Sequence, residues 1–458
     1  MKRMKKKLFS LVLASVLCLS LLTGCQLGSR TSSVPEEEGA VTAYAVDYEA
    51  MGEEYLTRDF WPDPQYFLKD YNLGANSEKE IEIQYFPDAT AMNQQLSTEL
   101  LSGGGPDLFV FQEVDLPNFY NYANQGIFAD LDPYFEKSGY NKSQFQEVVF
   151  DYGVVNGTRS FIPLEYGVPM CVTTQNLAEK YGLDKIGEEL NYQNYYELLS
   201  AIKDIQPEIH WFNELDSFFY RIISAFIDEE NKRGQFTSSL FQKSIEEYKE
   251  MANSQGGEKA MAIRWETEYI EALVNEELLF HNDPMMSDRQ LSYRIGKYWA
   301  GQEGKDNPLL LYPVKEYNGE DYYAYVGKMI AINDNSNRKN KAWEVIEKAI
   351  STSYQNNIMG GSNPIIGNPV NLEAQDRNKK DWMNSGGAFG KTGKEQLINR
   401  YYELLNSVTK CDCLMYNSMY VQEVFDPLYV EYENGTKTLD EFVKELQNKT
   451  GLYLKEQN

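Results

Sequence analysis

An α/β fold of more than one domain is predicted for this chain, and three observations carry the prediction. Residues 79–111 run as an alternating strand, a helix, a Gly-Gly-Gly-Pro stop and a short continuous apolar run, the order of a βαβ unit. At 458 residues the chain is long enough for two or three domains. With 42% hydrophobic residues it can bury a full core, so the excess of 69 acidic over 43 basic residues does not signal disorder.

The first 24 residues place five basic side chains ahead of an apolar run from Leu8 to Leu22. That pattern predicts an export signal, because about 20 residues are needed to span a bilayer and this run is shorter. It ends in Leu22-Thr23-Gly24-Cys25, which resembles the bacterial lipobox. Cleavage there would leave Cys25 as a lipidated first residue. Removing five basic residues and no acid would bring the net charge from −26 to −31. Residues 25–39 have no apolar periodicity and read as a tether.

The next elements follow from their patterns. A first strand is expected at AVTAYAVD, residues 40–47, and a helix at about 61–73. KEIEIQYF, residues 79–86, alternates as a strand should. A helix through MNQQLSTELLS stops at Gly103-Gly104-Gly105-Pro106, and DLFVF reads as a strand buried on both faces. Another helix is expected at about Leu116 to Asn124. Ser160 to Leu177 is apolar and extended, with prolines that discourage helix. From there to about Asn275 the pattern is mostly helical. Strands are expected at Glu277 to Phe280 and Tyr323 to Ile332, and amphipathic helices at RKNKAWEVIEKAIS and in the tail from Asp440. There is no internal repeat.

Charge and residue usage narrow the function. So acidic a surface repels nucleic-acid backbones and anionic lipid, so no nucleic-acid partner is expected. Two histidines, His210 and His281, leave little for a metal site or a His-based triad, and neither a metal nor a cofactor is expected. Cys171, Cys411 and Cys413 read as buried thiols, with pairing of Cys171 to either of the others left open. SGGAFGKT, residues 385–392, approaches a phosphate-binding loop, but DRNKKDWMN before it cannot supply the strand that such a loop needs. Neither G-x-S-x-G nor H-E-x-x-H occurs.

LLSGGGPDLFVF, NQGIFADLDPYF, SFIPLEYGVPMCVTTQNL, MIAINDNSNRKNKAWEVIEKAIS and YVEYENGTKTLDEFVKEL occur in that order after the lipobox. In this the chain resembles the extracellular solute-binding proteins of bacterial ABC transporters, in the carbohydrate-binding group that includes maltose-binding protein. Departures lie at Ser362-Asn363-Pro364-Ile365 and EDYYAYVGKMIAIN, where the family usually has a G-F-P-V turn and a Gly-rich strand. The resemblance implies a two-lobed, type II periplasmic-binding-protein-like α/β fold. The expected lobes are 40–162 with 326–370 and 163–325 with 371–458, joined by crossing segments near 161–169, 322–330 and 360–372.

The resemblance also implies the site. Phe111 falls at the family's aromatic platform, with Gln112, Glu113 and Asp115 as polar neighbours. Asp47 and Glu49 follow the first strand, and Glu165 and Tyr166 lie in the crossover. From the second lobe, His281, Asn282 and Asp283 are expected after the strand ELLF, with Tyr325 on the late crossover and Tyr416 and Tyr420 near the C-terminus. The implied function is non-enzymatic capture of a sugar or oligosaccharide outside the cell and its delivery to ABC permease subunits. The protein would be a monomer held to the membrane only through its lipid. Composition leaves other classes open: a surface glycan hydrolase, which needs only two carboxylates, an adhesin or sensor, or a binder of another solute such as a peptide.

Overall fold

The computed structural model describes residues 38–47, 64–73, 80–183, 210–212, 225–228, 231–252, 266–288, 307–316, 321–356, 367–384, 393–412 and 420–456, with isolated positions between them. The leader, Cys25 and the tether up to residue 37 lie outside the described residues, as do Glu49, Cys413, Tyr416 and the 385–392 loop.

Two sheets organise residues 38–458. The first begins with β1 (Val41–Val46), which pairs in parallel with β2 (Ile81–Phe86) and β3 (Leu108–Phe111). Between them run α1 (Pro64–Leu73) and α2 (Ala89–Leu101), whose Asp88 side chain accepts a 2.7 Å bond from Ala91 N–H and so caps the first turn. The Gly-rich stop ends α2 because Gly103 and Gly105 adopt positive φ, the left-handed region that glycine enters without strain. Asp107, the acid of that stop, accepts from Thr42 N and Oγ1, Ser336 Oγ and Arg338 Nη1, tying β1, β3 and a distant loop together. A short helix, α3 (Phe119–Asn124), follows.

The chain then leaves the first sheet from β4 (Ile162–Pro163) and enters the second through β5 (Glu165–Thr174), every residue of which is buried. Thr174 caps the helix that follows, α4 (Gln175–Tyr181). The segment 177–275 is mostly helical among its described residues, as expected. It contains β6 (His210–Phe212) and a two-stranded pair at 227–228 and 233–234, as well as α5 (Ser239–Ala252). β7 (Leu278–Met286) and β8 (Leu309–Pro313) flank the second half of β5, both antiparallel to it.

The apolar run Tyr323 to Ile332 is a correction to the expected single strand. It is divided into β9 (Tyr323–Val326), which pairs with β5 in the second sheet, and β10 (Met329–Ile332), which pairs with β3 and β4 in the first. Gly327 and Lys328 make the break. After α6 (Lys339–Ala349), β11 (Asn368–Pro369) returns to β5, and α7 (Leu372–Asn384), α8 (Lys394–Asn406) and β12 (Lys410–Asp412) follow. α9 (Leu439–Glu456) closes the chain. The first sheet has the order β2-β1-β3-β10-β4, and the second β12-β9-β5-β7-β6 with β8 and β11 also on β5. The architecture is a two-lobed α/β fold of the type II periplasmic-binding-protein class.

Candidate ligand-binding site

In open α/β sheets ligands sit beyond the carboxyl ends of strands. β1, β2 and β3 are parallel, so their ends at Val46, Phe86 and Phe111 share one edge of the first sheet. The edge is held by backbone: Asp47 N–H donates 2.7 Å to Phe86 O, and the N–H groups of Asp115 and Leu116 both reach Gln112 O at 3.1 Å. Asn93 on α2 donates through Nδ2 to Ala89 O at 2.8 Å and Asp115 O at 2.7 Å, which pins this turn to the helix. Asp47, Gln112 and Glu113 are half-buried there. Lys328 and Met329 arrive at the same edge, because Met329 is paired with both Phe111 and Pro163.

The second sheet turns a matching edge toward these crossings. β7 ends at Met286, opposite Val168, β9 ends at Val326, opposite Tyr166, and β12 ends beside Tyr325 at Asp412. Three strand ends of each sheet thus lie on the side of the crossings, with half-buried Asp47, Gln112 and Glu113 on the first. Among the described residues, a separate cavity of about 260 Å³ lies in the second lobe, lined by residues including Lys315, Tyr322, Arg400 and Thr409. Tyr322 immediately precedes β9, so this cavity belongs to the end of the sheet away from the crossings.

Several expected contacts are placed elsewhere. Phe111 is 2% exposed, with ring centroids of Phe119, Phe128 and Phe161 at 5.5, 5.9 and 6.3 Å. A ring so enclosed has no free face for a sugar, so it is a core residue rather than a platform. Asp115 is buried beneath its turn. His281 is not beyond a strand end: β7 continues through Pro284, His281 pairs with Val172, and its ring packs 5.6 Å from Tyr269. Asn282 and Asp283 pair with Cys171 and Met170 in the same strand, and their side chains lie outside the described residues. Tyr325 is buried and its hydroxyl donates 3.2 Å to Glu316. Tyr420 is buried in the second-lobe core against Tyr453, with its hydroxyl 2.7 Å from Thr450 Oγ1. Burial pushes its phenol well above the usual value.

Glu165 and Tyr166 belong to the crossing itself. Both are fully buried, with Glu165 beside Lys328 and Tyr166 in a polar cluster. Gln375 Nε2 donates 2.9 Å to Tyr166 Oη, Asn368 Nδ2 donates 3.0 Å to Tyr166 O, and Tyr401 Oη donates to Asn368 Oδ1. Asp288 accepts from Asn378 Nδ2 at 3.0 Å and from Tyr402 Oη at 3.4 Å. Burial, reinforced by the nearby Asp288 carboxylate, raises the phenols of Tyr401 and Tyr402 far above their ordinary values. Sequence reasoning passed over Asn93, Asp288, Asn368, Gln375 and Lys328. Only Lys328 left a legible signal, as the Gly-Lys interruption of an apolar run.

Cys171 is fully buried, and burial pushes the thiol of Cys411 well up. Among the described residues no cluster of three His, Cys, Asp or Glu could hold a metal, and no helix is long and apolar enough to cross a membrane.

Comparison with solved structures gives matches along nearly the whole chain. The sugar-binding protein MalE from Xanthomonas citri is 17% identical with a TM-score of 0.59, covering 91% of this chain and 98% of that one. An ABC substrate-binding protein from Listeria monocytogenes, in complex with cycloalternan, is 12% identical with a TM-score of 0.56, covering 92% and 100%. The cyclic alpha-maltosyl-1,6-maltose binding protein from Arthrobacter globiformis is 12% identical with a TM-score of 0.54, again covering 92% and 100%. At these identities the likeness is one of fold. No curated protein matches in sequence. Residues 62–356, well over half of the chain, match the model of the bacterial extracellular solute-binding proteins, and the chain belongs to that family.

Proposed function

We propose that this protein captures a sugar or oligosaccharide outside the cell, between lobes 40–162 with 326–370 and 163–325 with 371–458, and hands it to an ABC permease. The observation that carries the proposal is that β1, β2, β3, β7, β9 and β12 all end on the crossing side of their sheets, with half-buried Asp47, Gln112 and Glu113 at the first of these edges. Carboxylate and amide groups there suit the hydroxyls of a saccharide. The sugar ligands of the Xanthomonas, Listeria and Arthrobacter proteins support the same class. Glu49, Asn282, Asp283 and Tyr416 remain proposed contacts from the resemblance. Closure of the lobes on the ligand would favour one arrangement over others, which is how binding would be signalled to the permease. Lipidation of Cys25 would hold a monomer at the membrane, and a Cys25→Ser chain should then appear free in the medium or periplasm.

A thermal-shift screen across glycans tests the substrate class. A ligand of the folded state alone stabilises by RT ln(1 + [L]/Kd), about 2.7 kcal/mol at a hundredfold excess over Kd. Mass spectrometry of the recovered glycan should find every bond intact. Stabilisation by peptides and by no saccharide would overturn the sugar reading, and cleaved glycan would make the protein a hydrolase.

A further inference from the structure

Three chain segments meet on one carboxylate. Leu164 N–H donates 2.8 Å to Lys328 O, and Gly327 N–H donates 3.3 Å to Glu165 O, so the first two crossings are paired through their backbones. Glu165 Oε1 lies 3.4 Å from Lys328 Nζ, and Glu165 Oε2 accepts 3.2 Å from Gly367 N–H, immediately before β11. Both charged side chains are 0% exposed. The adjacent Tyr166 fixes the third segment again, through Asn368 and, from α7, Gln375.

Removing two charges from water is costly, and an apolar pair of similar volume often serves stability as well or better. Stability is therefore a weak reason for an ion pair here, whereas geometry is a strong one. Any swing of one lobe against the other must rotate the chain about Leu164, Gly327 and the segment before Asn368. Such a rotation alters the separation of Nζ from the carboxylate where screening is weak and small displacements are strongly felt. Apolar side chains could slide through the same rotation with little preference.

We propose that Glu165 and Lys328 are a positioning pair for ligand capture: they set the relative free energies of the lobe arrangements, and through them affinity, without touching the ligand. The functional meaning rests on the capture reading above, but the structural claim can be measured without any ligand. The decisive variant is the double substitution Glu165→Gln with Lys328→Met, which removes both charges, keeps comparable volume and leaves an amide oxygen for Gly367. Lys328→Met alone leaves a buried carboxylate without its cation and serves as the destabilised reference.

The expected result is a double variant that melts cooperatively near the wild-type temperature. Without saccharide, its small-angle scattering should give a radius of gyration measurably different from wild type. Wild-type scattering from the folded double variant overturns the proposal. A double variant that fails to fold also overturns it, since the pair would then be part of the core. Neither result bears on the glycan screen, and a failed screen leaves the scattering result intact.

Discussion

Replacing Phe111 with alanine tests whether the end of β3 is core or binding surface. The side chain is 2% exposed on a strand flanked by β1 and β10, and three aromatic rings surround it. Phe-to-Ala truncations in cores cost about 3–5 kcal/mol, the upper values belonging to sites that cannot collapse into the space. Aromatic pairs add about 0.5–1.5 kcal/mol each beyond area burial, and three are lost here. Phe119 on α3, Phe128 bridged to Asn333 and Phe161 next to β4 are each fixed by their own backbone and cannot follow the missing atoms, so the expected loss is about 4–5 kcal/mol. At a urea slope of about 3 kcal/mol per molar, the midpoint should fall by roughly 1.5 M. Gln112→Ala, one residue on and half-buried, should leave the midpoint within about 0.3 M while weakening binding of any glycan found by the screen. The reasoning is refuted if Phe111→Ala keeps a near-native midpoint and loses affinity, for that would make the ring a ligand platform.

Other expectations follow from the same packing. Asp107→Ala removes the acceptor for Thr42, Ser336 and Arg338, and should cost at least about 3 kcal/mol by thermal melts, with Asp107→Asn recovering part of it. Gly153→Ala would put a methyl carbon 1.8 Å from the Phe161 carbonyl oxygen; the backbone must move, and the variant should melt several degrees lower or fail to accumulate. Burial raises the phenols of Tyr44, Tyr166, Tyr402 and Tyr420, that of Tyr44 to about 12. Because these folded values lie above the unfolded value near 10, their contribution is complete below pH 10 and is lost as pH rises through the folded values. Absorbance titration at the phenolate band should therefore show a late, cooperative group that ionises with unfolding, and gradual ionisation of every tyrosine in folded protein would contradict the burial.

How much was legible depended on whether the deciding interaction was local. The βαβ unit was readable because its stop, Gly103 to Pro106, and the fully buried run Leu108–Phe111 are written in consecutive residues. The division of Tyr323–Ile332 between two sheets was implied only by the resemblance, with its crossing near 322–330; the local pattern reads as one strand, since both halves are apolar and their partners, β5 and β3, are remote in sequence. Asn282-Asp283-Pro284 has the composition of a turn, yet pairing with β5 carries the strand through it. Gln112 and Glu113 were implied by the resemblance, and both lie half-buried just beyond the buried run. Phe111 was misplaced because strand position says nothing about what covers a face. Glu165 lies in the crossing as expected, but its partners were not readable, since its carboxylate meets residues 163 and 202 positions away.

The interior position of β10 has a consequence for biosynthesis. It lies between β3 and β4, pairing Leu108 with Ile332 and Pro163 with Met329. A chain emerging from the ribosome thus holds both flanking strands long before the strand that joins them, and the first sheet cannot be completed until residues beyond 332 are available. Pairings so distant in sequence also close slowly, because the entropy of a long loop must be overcome first. β3 and β4 therefore lack the partner they share until most of the chain has been made, and the first sheet reaches its native order late.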